Sequence, residues 1–304
     1  MSLVHCQLPN LVANTSTMDQ RIIELYDEYT HKPLSRSSFI KKLAILTGSM
    51  ATALAILPSI EVNGTNAAIT NDEDLFTENI NYAGVNGTMA AYIARPKKEA
   101  KYGAIVIIHE NRGLNAHIED VARRAAKAGF LAIAPNALAP IGGTPANEDE
   151  ARTKFQELKQ EDSNANFIKV FDYLATRKDT NGNYGCVGFC WGGAMANTLA
   201  VNVPNLKAAV AFYGRQAKAE DVPKIKAAVQ LHYGGLDTRV NEGKDAYEAA
   251  LKAAGVTYEQ YVYENVNHAF HNDTAPTRYN KEAAELAWKR TINFFEKHIN
   301  GKKS

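Results

Sequence analysis

Hydrophobic and polar positions follow two different periods along this chain, and the switches between them mark a repeating strand–helix order from about Asp72 onward. Residues 104–108 (Ala-Ile-Val-Ile-Ile) form an unbroken apolar, β-branched run, which is how a strand buried on both faces of a parallel sheet reads. Helical spacing follows over 117–128, with Ile118, Val121 and Ala125 on one face and Gly129 as the stop. Residues 130–134 are the next strand, which Pro135 is expected to end. The segment 141–145 (Ile-Gly-Gly-Thr-Pro) opens a polar excursion suited to part of a lid. Helices are expected near 149–158, 165–176, 243–253 and 282–298. Strands are expected at 184–189, 208–212, 227–233 and 258–263. This alternation predicts an α/β fold with a mostly parallel sheet wrapped by helices on both faces. Ligands bind such sheets at the carboxyl ends of the strands, so the chemistry is sought there.

The first 70 residues follow another pattern. Lys41-Lys42 precede an apolar run from Leu43 to Leu57, which is short for a bilayer span but the right length for the core of an export signal. Just upstream, Ser35-Arg36-Ser37-Ser38-Phe39-Ile40-Lys41 resembles the twin-arginine export motif S-R-R-x-F-L-K, with Ser37 where the second arginine belongs. A helix-like stretch over 20–29 lengthens the region before it. Ala67-Ala68 is the nearest cleavage candidate. One reading is export to the periplasm. The other is a retained, cytoplasmic extension whose apolar segment packs as a helix. In both, 59–71 is a polar linker, so residues 1–70 are set apart from a single domain over 71–304.

Composition narrows the function classes. Lys and Arg number 34 against 33 Asp and Glu, a net charge of +1, and no long basic run is present, so neither nucleic acid nor an anionic membrane surface is indicated as a partner. The three cysteines, Cys6, Cys186 and Cys190, are too few and scattered for a disulfide framework. Cys186 and Cys190 are too far apart to bridge if the segment between them is extended. No metal-type spacing of Cys and His occurs. His109-Glu110 resembles the start of a zinc-protease helix, but Gly113 stands where that motif needs its second histidine, so no metal or cofactor is expected.

The strongest chemical signal is Gly188-Phe189-Cys190-Trp191-Gly192-Gly193, between a predicted strand and a helix starting near Ala194. This is the G-x-S-x-G nucleophile elbow with cysteine in place of serine. The turn is so tight that side chains two residues before and after the nucleophile collide with neighbouring backbone. The helix N-terminus behind it favours a thiolate, and the Trp191 amide faces a developing oxyanion. The bland alternative is a buried structural cysteine in a glycine-rich turn, and Cys186, inside the strand, is given that reading.

Base and orienter are expected later in the chain, each on a loop after its own strand. Gly234-Gly235-Leu236-Asp237 follows strand 227–233 and delivers a carboxylate. Asn265-Val266-Asn267-His268 follows strand 258–263 and delivers an imidazole. Among the other histidines, His5, His31, His117 and His298 read as surface residues, His232 as a packed strand residue, and His271 as the near rival of His268.

Together these residues resemble the dienelactone hydrolase family of α/β-hydrolases. The resemblance runs in order from about Asn71 to the C-terminus, through Ile108-His109-Glu110-Asn111-Arg112-Gly113, the cysteine elbow, 232–237 and His268-Ala269-Phe270. It implies an α/β-hydrolase fold and a cofactor-independent hydrolase of a small ester or lactone. Its triad would be Cys190, His268 and Asp237, with Glu110 helping to activate the thiol and the amides of Asn111 and Trp191 as oxyanion hole. An ion pair with Arg112 is the alternative role for Glu110. Family members that act on dienelactone hold its carboxylate with arginines, one of them four residues after the triad histidine, where this chain has Asn272. Arg112, Arg215 and Arg239 flank the expected site as substitutes, each equally readable as a fold-stabilising ion-pair partner. A thioesterase, or a non-catalytic protein of this fold that binds a small ligand, is the rival reading.

Overall fold

A computed structural model describes residues 18–61 and 69–301 of the chain. Cys6, His5 and the Ala67-Ala68 cleavage candidate lie outside these residues. The chain divides into two compact units, Met1–Leu57 and Pro58–Ser304.

In the first unit, helix α1 (Gln20–His31) is capped by Asp19, and α2 (Arg36–Thr47) by Ser35, whose hydroxyl accepts from the Ser38 amide at 3.2 Å. The rings of Tyr29 and Phe39 stack at 4.4 Å and hold the two helices together. The apolar run from Leu43 to Leu57 is not one helix. Gly48, at φ 82°, ends α2, and α3 (Met50–Ile60) leaves at an angle of 111°. No single described helix is long and apolar enough to cross a membrane, although this bent pair together has the length and composition.

The second unit is built on one eight-stranded sheet: β1 (Leu75–Ala83), β2 (Thr88–Pro96), β3 (Tyr102–Ile108), β4 (Leu131–Asn136), β5 (Thr180–Phe189), β6 (Ala208–Phe212), β7 (Ala228–Gly234) and β8 (Tyr258–Tyr263), in the order β1-β2-β4-β3-β5-β6-β7-β8. The pairs β1–β2 and β2–β4 are antiparallel, and the rest are parallel. Helices α4 (Ala116–Lys127), α5 (Glu148–Phe155), α6 (Gln160–Thr176), α7 (Trp191–Asn202), α8 (Thr238–Asn241), α9 (Lys244–Ala253) and α10 (Lys281–His298) connect or follow them. Strand β3 shows why the sheet is covered twice. Ala104, Val106 and Ile108 enter the apolar layer that contains Phe167 and Val170 of α6 and Met195 of α7. Ile105 and Ile107 enter the layer that contains Val121 of α4 and Phe295 of α10. The expected α/β-hydrolase architecture is the one observed.

Two local expectations fail. The β1–β2 hairpin escapes the strand–helix pattern, although Asn86-Gly87 between two strand-like runs is a hairpin turn signal; Gly87 sits at φ 148° and its carbonyl accepts from the Gly84 amide at 2.9 Å. Strand β4 also runs on through Pro135. Its pairing with β3 stops at Ile133, so Pro135 has a partner strand on the β2 side alone and tolerates the lost N–H.

Candidate active site

Cys190 sits between β5 and α7 at φ 55°, ψ −112°, a backbone conformation that side chains rarely adopt. The surrounding glycines are steric necessities. A Cβ on Gly188 would lie 1.8 Å from the Gly192 carbonyl oxygen, and one on Gly192 would lie 2.3 Å from that of Ile108. The Cys190 amide donates to Phe212 O at 3.0 Å, which ties the elbow to the end of β6. Strain at Cys190 is thus fixed by both neighbouring strands. Cys186, one turn of sequence earlier, is fully buried in β5, and burial pushes its thiol up. Both cysteines are free thiols.

The loops after β7 and β8 bring Asp237 and His268 together. Asp237 accepts from the Val240 amide through Oδ1 at 3.2 Å, capping α8, and its Oδ2 lies 2.5 Å from His268 Nδ1. The loops can meet because Gly234 has no side chain: a Cβ there would lie 2.7 Å from Asn267 O. The Leu236 amide then donates to Val266 O at 3.0 Å. His268 and Asp237 are both buried, and a ring nitrogen of His268 lies within 4.8 Å of Cys190 Sγ. With Nδ1 engaged by the carboxylate, the imidazole is oriented to exchange a proton through Nε2.

Strand register places the early loop beside the elbow. Ile108 pairs with Gly188, so His109, Glu110 and Asn111 emerge next to Phe189, Cys190 and Trp191. His109 is fully buried; its Nε2 accepts from the Ala137 amide at 3.0 Å and its Nδ1 faces Glu110 O at 2.6 Å, which fixes the tautomer with the proton on Nδ1. Burial lowers its pKa to about 4, so the ring stays neutral, and it stacks on Trp191 at 5.4 Å. The zinc-motif resemblance of His109 therefore gives way to a packing role.

Glu110 is buried and doubly held. Its Oε1 accepts from the Tyr213 hydroxyl at 3.3 Å and its Oε2 from Asn272 Nδ2 at 3.0 Å. Burial works against its charge, but the electrostatic influence of Arg278 foremost, then of His117, Arg112 and His268, outweighs burial and holds the carboxyl below its ordinary range. Tyr213, at φ 40°, is fully buried, and burial together with the charges of Glu110 and Cys190 pushes its hydroxyl far up, so it remains a donor.

The three arginines proposed from the sequence have three settings. Arg112 is buried, and its Nε lies 2.9 Å from Glu148 Oε2. Arg239 is half-buried, with Nη2 3.5 Å from His268 Nδ1. Arg215 is exposed, and its carbonyl accepts from Asn197 Nδ2 at 2.9 Å. Tyr213, Arg278 and Asn272 carry no sign in the sequence of acting on Glu110, because only the fold brings these distant positions together. The surface setting expected for His117 is not the one observed. His117 is buried, with Nδ1 2.8 Å from Asp273 Oδ1, because the loop after β8 covers that end of α4. His271, the rival base, is buried flat against Phe189 at 4.9 Å, and burial holds it well below its ordinary range.

Known proteins resemble this chain in family and fold. The model of the dienelactone hydrolase family matches residues 89–299. A "Putative carboxymethylenebutenolidase" of Escherichia coli is 34% identical over 232 residues, 71% of this chain and 84% of the relative. Its namesake in Methylorubrum extorquens is 30% identical over 289 residues, 88% of this chain and 96% of the relative. A crystal structure of a dienelactone hydrolase-type protein from Klebsiella pneumoniae superimposes with a TM-score of 0.67 at 27% identity, covering 73% of this chain and 98% of that one. From the family match, the identity over most of the domain and the shared fold, the chain belongs to the dienelactone hydrolase family of the α/β-hydrolase superfamily, hydrolases acting on small molecules.

Proposed function

We propose that the chain hydrolyses a small ester or lactone through Cys190, His268 and Asp237. One observation carries the reading: a strained cysteine at the strand-to-helix elbow lies within 4.8 Å of a histidine nitrogen, and that histidine is held at 2.5 Å by a buried aspartate. The thiol gives its proton to His268 or Glu110, and sulfur attacks the carbonyl carbon. The amides of Asn111 and Trp191 receive the negative oxygen of the tetrahedral intermediate. Whichever of the two took the thiol proton returns it to the departing alkoxide, leaving an acyl group on Cys190. His268 then takes a proton from water, whose oxygen attacks the thioester and releases the carboxylic acid, restoring the thiol. Asp237 orients the ring and supports its charge. For residues 1–70 the proposal is an export segment, supported by the basic pair and apolar run at 41–57.

The test is turnover of p-nitrophenyl acetate by the wild type and by Cys190→Ala. The proposal expects a loss of at least about a thousandfold in kcat/KM for the variant. Equal rates in the two proteins would reject Cys190 as nucleophile and leave a ligand-binding role for the site.

A further inference from the structure

We propose that Glu148 is a specificity-determining residue that turns this site against substrates bearing a carboxylate near the scissile carbonyl; the inference rests on the hydrolase reading above. Helix α5 touches the site at two points. At its N-terminal end Glu148 pairs with Arg112 at 2.9 Å, one residue beyond Asn111. At its C-terminal end the ring of Phe155 packs edge-on against Trp191 at 4.9 Å, one residue beyond Cys190. The helix therefore contacts the side chains of Arg112 and Trp191, next to or at the two residues expected to supply the oxyanion hole. Arg112 is a buried cation whose Nη1 lies 3.5 Å from Asn111 Oδ1 and whose charge acts on Glu110, and alone it would attract an anionic substrate. Glu148 occupies that cation with a carboxylate of its own.

The surrounding charges reinforce this exclusion. Glu110 is close enough that the two carboxylates act on each other, and Asp149 adds a third negative group. Burial first, then Glu110 and Asp149, raise the Glu148 carboxyl above its ordinary range in spite of Arg112. An incoming carboxylate would thus have to displace Glu148 from Arg112 while entering the field of Glu110. A neutral ester meets neither cost. Selectivity here comes from a repulsive element as much as from an attractive one.

The experiment compares two esters that differ by one terminal carboxylate, p-nitrophenyl valerate and the mono-p-nitrophenyl ester of glutaric acid, in the wild type, Glu148→Gln and Glu148→Gln/Arg112→Gln. The wild type is expected to favour valerate. Glu148→Gln should raise the ratio of anionic to neutral kcat/KM by about tenfold or more, and the double variant should return it towards the wild type. Calorimetric titration with glutarate gives a readout that needs no turnover, and Glu148→Gln should bind it about tenfold more tightly. An unchanged ratio and unchanged glutarate affinity in Glu148→Gln would overturn the inference. Absence of ester turnover in the wild type alongside the expected change in glutarate binding would instead remove the hydrolase reading and leave the anion exclusion standing.

Discussion

Asn272→Asp is the sharpest available perturbation of the charge network behind the site. The substitution is isosteric and keeps the oxygen that accepts from the Thr274 amide at 3.0 Å and from its hydroxyl at 2.6 Å. What changes is the atom facing Glu110 Oε2 at 3.0 Å, which turns from an N–H donor into a carboxylate oxygen. A buried hydrogen bond to a charged group contributes about 1.5–3 kcal/mol, so its loss alone costs about that much. Two carboxylates at that separation cannot both ionise, so the pair takes up one proton with an apparent pKa above the ordinary range.

The signs differ between the two proteins. In the wild type Glu110 is held below its ordinary range, so its contribution to stability is present above the unfolded-state carboxylate pKa and fades as pH falls through the depressed folded value. In Asn272→Asp a raised group binds its proton more readily folded than unfolded, so the penalty is largest at neutral pH and shrinks on acidification. Urea unfolding at about pH 8 and about pH 5 should therefore show a deficit of about 2–3 kcal/mol or more that narrows at the lower pH. A deficit equal at both pH values, or none, would show that Asn272 does not carry the charge of Glu110.

Other consequences follow from the same geometry. Gly192→Ala should lower stability by about 1–3 kcal/mol in thermal unfolding and depress ester turnover disproportionately, because the new Cβ meets the backbone of β3 at Ile108 and moves α7 away from Asn111. Native protein treated with iodoacetamide should be alkylated at Cys190 and spared at Cys186, whose thiol is fully buried; peptide mapping that finds Cys186 modified equally would contradict the burial. His117→Ala should cost about 1–3 kcal/mol in urea unfolding, because it removes the buried ring whose Nδ1 lies 2.8 Å from Asp273 Oδ1, while Arg124 keeps that carboxylate paired.

The readable part of the molecule was what short segments dictate. Continuous apolar runs marked β3 and β6, and glycines on either side of Cys190 and before Asp237 marked the turns, because each is a requirement of local backbone geometry. The apolar stretch of 43–57 was legible as hydrophobic, while its division into two helices depended on the positive φ of Gly48. The hairpin β1–β2 carried a turn signal that the helix-separated strands after it obscured. What the sequence concealed is what converges from far apart. Asn272 and Tyr213 reach Glu110 across 162 and 103 residues. His117 sits at the margin of an apolar helix face, and only the arriving loop at Asp273 decides that it is buried. Glu148 looked like one charge in a polar excursion, and its partner Arg112 is set by the path of the chain over the elbow.

The central claim concerns the sulfur of Cys190, and an acyl-enzyme tests it most directly. His268→Ala removes the base that activates water for deacylation, so incubation with p-nitrophenyl acetate should leave the protein heavier by one acetyl group, mapped by peptide mass spectrometry to Cys190. Continued ester turnover with no adduct on Cys190, or with the acetyl group on another residue, would contradict it.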